Sequence, residues 1–522
     1  MADRCFIGVD VGSGSVRAGV FDDTGAERAF ATRQIKQFNP RADFYEQSTA
    51  DIWTQLADAV RDAVSSARVS PDSVRGIGFD ATCSLVAVGA DGEPVSLAED
   101  GDSRHDIIMW MDHRAIAEAA DINATQDPAL AYVGGDVSVE MELPKILWLK
   151  RHMLDRHAVV RRYFDLADYL VWRATSADVA SVCTLTCKWN YLAHEQRFSN
   201  SLLSAVGLSD LLEKVPSKVL PLGSAAGTLH PRRAAELGLS PGTIVAAGII
   251  DAHAGGLALL GAQPEGGLAI ISGTSCCHLV VSREKIFVPG VWGPYFGAML
   301  PGWWLNEAGQ SAAGSLIDWT LQQGDTWPEL QSAGRSIYEV ANEWVAALEA
   351  RESEPTRDLH VLADHHGNRS PRADPLSRGA MVGLTLERGP DALARRYLAT
   401  VQSLAYGTRH IIETLNAAGH HIQRVLITGG GIRNSLSLQE HADAIGFDLH
   451  LGSEDQEVTR GAALLAATAS NAFPDLQTAA AAMVRGGATV RANPARRAFH
   501  DAKYAVYLSL YDDWCRYRQM MR

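Results

Sequence analysis

The sequence has little cysteine, and its thiols do not form the patterns that crosslinked or metal-binding domains use. Seven cysteines occur in 522 residues, scattered over positions 5, 83, 183, 187, 276, 277 and 515 without a Cys-x-x-Cys pair. The odd number and the scatter predict free thiols in a reducing cytosol rather than disulfides. The Cys183 and Cys187 pair has no companion ligands nearby in the sequence, so no structural zinc site is predicted there.

The sequence also lacks an uninterrupted apolar run and an excess of positive charge. Its most apolar long stretch, residues 243–262, carries Asp251 and His253 near its centre. Two ionisable groups would be costly inside a bilayer, so we expect a buried segment, no membrane partner and a cytoplasmic protein. The strand pattern starts within the first residues, which predicts no signal peptide. A net charge of −14 disfavours nucleic acid as a partner.

What is present is enough apolar sequence for sizeable cores. The composition is 47% hydrophobic, and 522 residues fit about three ordinary domains or two large ones. A strand–turn–strand pattern at residues 6–21 has a weaker echo at residues 268–281, and strands alternate with helices along the chain. We predict an α/β protein with two domains on one plan, residues 1–250 and 251–522, and a hinge in the glycine-rich residues 248–256.

The first candidate site is the loop of residues 10–17, which reads Asp-Val-Gly-Ser-Gly-Ser-Val-Arg. Small residues let backbone N–H groups approach an anion, and a carboxylate at a strand end can hold Mg²⁺ through water. A dinucleotide fingerprint is excluded because no third glycine and no helix follow. A Walker A loop is excluded because Gly-Lys occurs nowhere in the chain. The alternative is a tight β-hairpin with an incidental aspartate.

Asp251 is the second candidate, at the point where an apolar strand gives way to an Ala- and Leu-rich helix. An aspartate at such a junction is commonly the N-cap of the helix. It can also serve as a general base at a domain seam. The two interpretations are compatible, because a capping carboxylate keeps acceptor capacity for a substrate hydroxyl.

Two further glycine segments follow predicted strands. Residues 428–431 read Thr-Gly-Gly-Gly after the strand at 425–427 and before a helix that starts near Leu436. Three glycines permit close approach of a flat ligand or a phosphate, and the alternative is a generic connecting loop. Residues 309–314 fail as a nucleophile elbow because Ala313 stands where a glycine is needed. We expect a helix N-terminus that faces phosphate there.

Residues 110–114 combine an aromatic plane, a carboxylate and a guanidinium in Trp110, Asp112 and Arg114. Such a set suits a polyhydroxylated ligand. The alternative is an exposed ion pair beside a core tryptophan.

Taken in this order, these segments resemble those of the FGGY family of carbohydrate kinases, and the resemblance covers essentially the whole chain. The matching stretches are residues 10–17, 78–84, 110–114, 144–150, 248–256, 272–275, 310–319 and 429–434. The resemblance implies an α/β fold of two actin-like (ribonuclease H-like) domains, with ATP and sugar bound in the cleft between them. It also implies Mg²⁺ as a cofactor and a small-molecule sugar as the partner, and it leaves a homodimer open.

The resemblance also implies roles for individual residues. Asp251 falls on the catalytic aspartate, and Asp10 would lie near the metal. The implied nucleotide-binding residues are Gly12, Ser13, Gly14, Ser15, Arg17, Gly273, Thr274, Ser275, Gln310, Gly314, Gly430, Gly431 and Asn434. The implied sugar-binding residues are Asp80, Thr82, Cys83, Ser84, Trp110, Asp112, Arg114 and Asp251.

Within the family, the pairing of residues 80–84 with residues 364–371 and 373–375 is similar to the D-ribulokinase branch. This implies phosphorylation of D-ribulose to D-ribulose 5-phosphate, with ribitol, L-ribulose and D-xylulose as alternative substrates. An actin-like ATPase or chaperone is the alternative of a different class, and it is disfavoured because no peptide-binding module is found. An NAD dehydrogenase is disfavoured by the failed fingerprint.

Overall fold

The structure is a computed structural model that describes residues 4–332, 334–453 and 456–521. Strands and helices alternate in it, which confirms the α/β prediction. The strands of the first half are β1 (Cys5–Val11), β2 (Ser15–Asp22), β3 (Glu27–Gln34), β4 (Glu46–Gln47), β5 (Val74–Ala81), β6 (Leu85–Gly89), β7 (Ile107–Ile108), β8 (Val160–Asp165), β9 (Val179–Ser181), β10 (Lys218–Leu220), β11 (Ala225–Thr228), β12 (Ile244–Ala246) and β13 (Ile249–Ile250). The helices are α1 (Thr49–Ala67), α2 (Ile116–Ala124), α3 (Glu142–His152), α4 (Leu154–Val159), α5 (Leu166–Thr175), α6 (Val182–Lys188), α7 (Asn200–Ala205), α8 (Leu211–Lys214) and α9 (Pro231–Leu237).

The second half starts with the helix that follows β13. Its helices are α10 (Asp251–Leu260), α11 (Gly314–Gln322), α12 (Trp327–Ser332), α13 (Ile337–Glu349), α14 (Pro390–Ala417), α15 (Ser435–Ile445), α16 (Glu457–Ala469), α17 (Leu476–Met483) and α18 (Arg497–Met520). Its strands are β14 (Gly267–Ser272), β15 (Cys276–Ser282), β16 (Trp292–Phe296), β17 (Trp304–Gln310), β18 (His360–Leu362), β19 (Ala380–Val382), β20 (Arg424–Thr428), β21 (Leu449–Gly452) and β22 (Gly486–Val490).

The main sheet of the first half has the order β11-β12-β5-β1-β2-β3, and β13 also pairs with β5. The predicted opening strands are confirmed as β1 and β2, which pair antiparallel. β1 and β13 both run parallel to β5. The carboxyl ends of these three strands therefore meet at one edge, where open α/β sheets bind their ligands.

The main sheet of the second half has the order β16-β17-β15-β14-β20-β21-β22. Within it, β14 pairs antiparallel with β15 and parallel with β20. This repeats the arrangement of β2, β1 and β5, so the predicted echo of the opening pattern is confirmed. The domain division between residues 250 and 251 stays a prediction.

The first helix shows how the apolar pattern places an element against a sheet. Ser48 caps α1 by accepting a hydrogen bond from the backbone N–H of Asp51. The apolar residues that a 3.6-residue period places on one face of this helix are all buried: Ile52, Leu56, Ala59, Val60 and Val64. The 3.6-residue period thus identified the face that packs on β2 and β3.

Residues 248–256 do not form the flexible glycine-rich hinge that we expected. They continue from β13 into α10, and both Gly255 and Gly256 are buried within that helix. A Cβ at Gly256 would lie 2.6 Å from side-chain atoms of Leu279 and Met299. The glycines here allow close packing of a helix, so the expectation of chain flexibility at this point was wrong.

Candidate active site

Three carboxylates converge at the sheet edge where β1, β5 and β13 end. Asp10 and Asp80 are direct neighbours in the parallel pairing of β1 with β5. Asp251 immediately follows β13, whose Ile249 is also paired with Asp80. Asp251 is the first residue of α10 and the N-cap is Ile250, so the predicted N-cap role of Asp251 is corrected. Its Oδ1 accepts the backbone N–H of Ala252 at 2.7 Å.

Burial and the proximity of these carboxylates shift the proton affinities of Asp80 and Asp251. Burial, with the charges of Asp10 and Asp251, raises the pKa of Asp80 well above its usual range. Burial and the charge of Asp10 raise the pKa of Asp251 to about 6. Arg17 donates a hydrogen bond to Asp10 at 2.8 Å. Asp251 is thus a carboxylate of increased basicity that is still ionised near neutral pH, as a general base requires.

The first predicted phosphate loop, residues 12–15, is a tight turn held by side chains from outside it. The Gly12 N–H donates to the Ser15 carbonyl at 3.0 Å. The Trp110 indole N–H donates to Ser13 Oγ at 2.9 Å, and Gln47 donates to the Ser13 carbonyl at 2.7 Å. Trp110, which we expected at the sugar, therefore contacts the first predicted phosphate loop in this structure.

The second predicted phosphate loop, residues 273–275, is joined to the start of α11. The Gly273 N–H donates to the Ser275 carbonyl at 2.8 Å, and the Gly314 N–H donates to the Gly273 carbonyl at 3.1 Å. A Cβ at Gly314 would lie 2.7 Å from the carbonyl oxygen of Gly273. Gly314 is needed for this close approach, and α11 begins there as expected. Gln310 donates its side-chain amide to the Leu404 carbonyl at 2.8 Å.

The third glycine segment follows β20 and leads into α15. Gly429 has φ of 93°, which favours glycine. A Cβ at Gly430 would meet no atom within 4 Å, whereas one at Gly431 would overlap the side chain of Ser272. Only Gly430 therefore faces open space. The buried Asn434 side chain caps α15 and donates to the Tyr397 hydroxyl at 2.8 Å.

The predicted sugar segment, residues 82–84, lies just past the end of β5. The hydroxyls of Thr82 and Ser84 are 3.2 Å apart, and Ser84 accepts the backbone N–H of Trp110 at 3.2 Å. Burial raises the pKa of the Cys83 thiol, and the nearby Lys188 ammonium opposes this shift. The segment therefore lies beside Lys188, a residue that the sequence analysis did not identify.

Lys188 forms a buried ion pair with Glu307 across the two halves of the chain. Its Nζ lies 3.4 Å from both carboxylate oxygens of Glu307 and 4.3 Å from the centre of the Trp292 ring. Burial opposes ionisation of Glu307, but Lys188 and His253 lower its pKa to about 2. Lys188 also lowers the proton affinity of Asp251. No local motif marks this pair, because its members are 119 residues apart.

The ion pair of Asp112 and Arg114 is buried, which corrects the alternative of an exposed pair. Arg114 donates to Asp112 at 2.7 Å and to Glu46 at 2.8 Å, and both side chains of the Asp112 pair have no exposed surface. The guanidinium also lies over the Phe44 ring, 4.1 Å from its centre. These contacts hold the segment that carries Trp110, and a role of Asp112 and Arg114 at the sugar stays a prediction.

Comparison with known proteins decides which family has this arrangement. The models of the N-terminal and C-terminal domains of the FGGY family of carbohydrate kinases match residues 5–258 and 268–470. The chain belongs to the FGGY family of carbohydrate kinases. It is therefore an ATP-dependent sugar kinase with two actin-like domains, as the resemblance implied.

Individual relatives agree with the family assignment. The FGGY carbohydrate kinase domain-containing protein of Homo sapiens is 43% identical over 99% of this chain and 98% of that protein. The D-ribulokinase of Saccharomyces cerevisiae is 36% identical over 90% of this chain and 72% of that protein. The crystal structure of xylulose kinase from Rhodospirillum rubrum has a TM-score of 0.82 at 22% identity, over 98% of this chain and 99% of that one. The last comparison shows the common fold.

The carboxylate edge of this FGGY kinase has a donor set that fits a divalent cation. Both carboxyl oxygens of Asp80 are buried without a hydrogen-bond partner among the described residues. Buried polar groups normally have partners, and oxygen ligands are those that Mg²⁺ prefers. Asp10 and Asp80 are the residues that would face it.

Among the helices in the described part of the chain, none combines the length and apolar character that a membrane crossing requires.

Proposed function

We propose that this kinase phosphorylates D-ribulose to D-ribulose 5-phosphate. The observation that carries the proposal is a set of polar groups near Asp251, namely Lys188, whose charge acts on the Asp251 carboxylate, its partner Glu307, and residues 82–84. The similarity to a D-ribulokinase over 90% of the chain supports the same substrate.

In this proposal Asp251 is the general base. Its carboxylate accepts the proton of the sugar hydroxyl, whose oxygen then forms a bond to the γ-phosphorus of ATP. The bond from that phosphorus to the β,γ-bridging oxygen breaks, and ADP leaves. Mg²⁺ bound near Asp10 and Asp80 would supply charge neutralisation at the phosphate oxygens. Phosphoryl transfer depends mainly on such positioning and electrostatics.

We assign the phosphates, the adenosine and the sugar to different groups of the protein. We assign the phosphates to backbone N–H groups of residues 12–15 and 273–275, and the adenosine to the open side of Gly430. We assign the sugar to Lys188, Glu307 and the hydroxyls of Thr82 and Ser84. Lys188 is a donor and Glu307 an acceptor, so the pair offers complementary contacts to neighbouring sugar oxygens.

The test is a comparison of kcat/KM for D-ribulose, D-xylulose, L-ribulose and ribitol. A site built to bind given hydroxyls leaves its own buried polar groups unpaired with an epimer or a reduced analogue. We expect the highest value for D-ribulose, with product analysis locating the phosphate on C5. A higher value for ribitol or D-xylulose would contradict the substrate but not the kinase assignment. ADP release that needs no sugar would instead favour an ATPase switch.

We also propose that this enzyme is cytoplasmic and that it forms a homodimer. Fractionation of cells that express the full chain tests the first, and light scattering of the purified chain tests the second.

A further inference from the structure

Two cysteines and a histidine converge in a buried cluster that the kinase reaction does not use. Cys183 and Cys187 lie one turn apart on α6, and His253 lies on the first turn of α10. His253 Nδ1 is 3.2 Å from Cys183 Sγ and 3.9 Å from Cys187 Sγ. All three side chains are buried, and their ligand atoms lie within 4.8 Å of one another.

These distances match the edges of a metal coordination polyhedron. Zinc binds thiolate sulfur at about 2.3 Å and imidazole nitrogen at about 2.0–2.1 Å, so tetrahedral ligands of these types are about 3.6 Å apart. The two observed sulfur–nitrogen distances, 3.2 and 3.9 Å, lie on either side of that value. Little movement would therefore be needed to admit the ion.

The histidine also has the outer partner that metal-binding histidines usually have. The Nε2 atom of His253, on the side of the ring away from the thiols, is 3.2 Å from Glu307 Oε2. Such a carboxylate fixes the tautomer and the ring orientation of a metal ligand. With Nε2–H donating to Glu307, the free lone pair of Nδ1 points to Cys183 and Cys187.

We propose that Cys183, Cys187 and His253 bind a thiophilic metal ion, for which Zn²⁺ suits the donor set. This corrects the expectation that the two cysteines have no companion ligand: the companion is 70 residues away from Cys183 in the sequence. Two thiolates and an imidazole select zinc over Mg²⁺, which prefers oxygen ligands. The site is distinct from the sheet edge with Asp10 and Asp80, which we assign to Mg²⁺.

The site would also bear on the sugar end of the cleft. Glu307 accepts from His253 and pairs with Lys188, so an ion on the other side of the imidazole would hold this carboxylate in place. The metal proposal itself does not depend on the identity of the sugar.

The test is the metal content of the full-length chain after dialysis against Zn²⁺ and then against buffer without metal. We expect about one zinc per chain in the wild type, and less than a tenth of that in Cys183→Ala and Cys187→Ala. Cys5→Ala is the matched control, because Cys5 is also buried but lies on β1. It should keep the zinc of the wild type.

A second measurement does not depend on the folding of the variants. Co²⁺ added to the chelator-treated wild type should produce a thiolate-to-cobalt charge-transfer band, and Zn²⁺ should abolish it. A wild type without zinc and without the cobalt band would overturn the proposal, and so would zinc that persists in both cysteine variants.

Discussion

Asp251 combines a position at a helix start with an electrostatic environment that keeps its carboxylate basic. It lies at the first residue of α10, partly exposed, and its pKa is raised to about 6 by burial and by Asp10. Such a carboxylate is ionised at neutral pH and accepts a proton more readily than an ordinary aspartate does.

We expect Asp251→Asn to leave ATP binding nearly unchanged and to lower kcat by about 10²–10⁴-fold, the usual cost of losing a general base. ADP release gives kcat, and calorimetry gives the affinity for ATP. Asp155→Asn, which changes an exposed carboxylate on α4, is the control. Turnover near that of the wild type in the Asp251 variant would remove this residue from the mechanism.

The Lys188–Glu307 pair is the second feature at the scale of residues. Removing one member of a buried pair leaves an uncompensated charge, so Lys188→Met should lower the free energy of unfolding by about 3–5 kcal/mol. It should also lower kcat/KM for the sugar while KM for ATP stays unchanged. Denaturant unfolding and steady-state kinetics measure the two effects.

The matched control is Lys150→Met, because Lys150 pairs with Asp210 in a partly exposed position. Such a pair contributes about 0–1 kcal/mol. The double variant Lys188→Met/Glu307→Gln should be more stable than the sum of the single changes predicts. If Lys188→Met and Lys150→Met lower the free energy of unfolding equally, burial does not make the Lys188–Glu307 pair more stabilising than a partly exposed pair.

At the scale of elements, the same strand–turn–strand unit occurs in both halves and presents its turn at the cleft. The first turn is held by Trp110, the second by the start of α11, and the loop after β20 leaves one glycine open. We expect the remaining backbone N–H groups of these turns to bind phosphate, or to let a flat ring approach closely.

Gly430→Val should weaken ATP binding by about tenfold or more, which corresponds to about 1.4 kcal/mol. A Cβ at this position meets no protein atom, so the fold should tolerate the change while the branched side chain fills the ligand space. Gly242→Val is the matched control, because a Cβ there also meets nothing within 4 Å. Calorimetry with ATP measures both, and equal affinities would contradict the adenosine assignment.

At the scale of the whole molecule, the halves meet through two closely packed helices. α16 packs on α10 and on the strands β1 and β5 of the first half. A Cβ at Gly78 would overlap the carbonyl oxygen of Ala462, and one at Gly461 would overlap that of Ala254. Glycine allows backbones to approach this closely. We expect these contacts to stay fixed when ligands bind and to form the base of the cleft.

We expect binding of D-ribulose with a non-hydrolysable ATP analogue to close the cleft about this base. Closure would exclude water from the phosphoryl group. Small-angle scattering should show a smaller radius of gyration with both ligands than with neither. The nucleotide analogue with glycerol in place of the pentulose is the control. An unchanged radius with both ligands would indicate a rigid cleft.

The local pattern of the chain was enough to predict several features. Alternating strands and helices, the apolar face of α1 and the repeat of the opening strands all depend on residues a few positions apart. The glycine turns and the place of Asp251 beside a strand end are equally local. Because the family shares these segments in the same order, the kinase assignment also followed from the sequence.

Only the tertiary structure decided which distant side chains meet. It brought Asp10, Asp80 and Asp251 to one edge through the parallel pairing of β1, β5 and β13. It buried Arg114 with Asp112 and Glu46, joined Lys188 to Glu307, and placed His253 beside two cysteines. Periodicity tells which face of an element is buried, but not which element covers it. The proton affinities and the metal-binding geometry depend on that covering, because burial and neighbouring charges determine both.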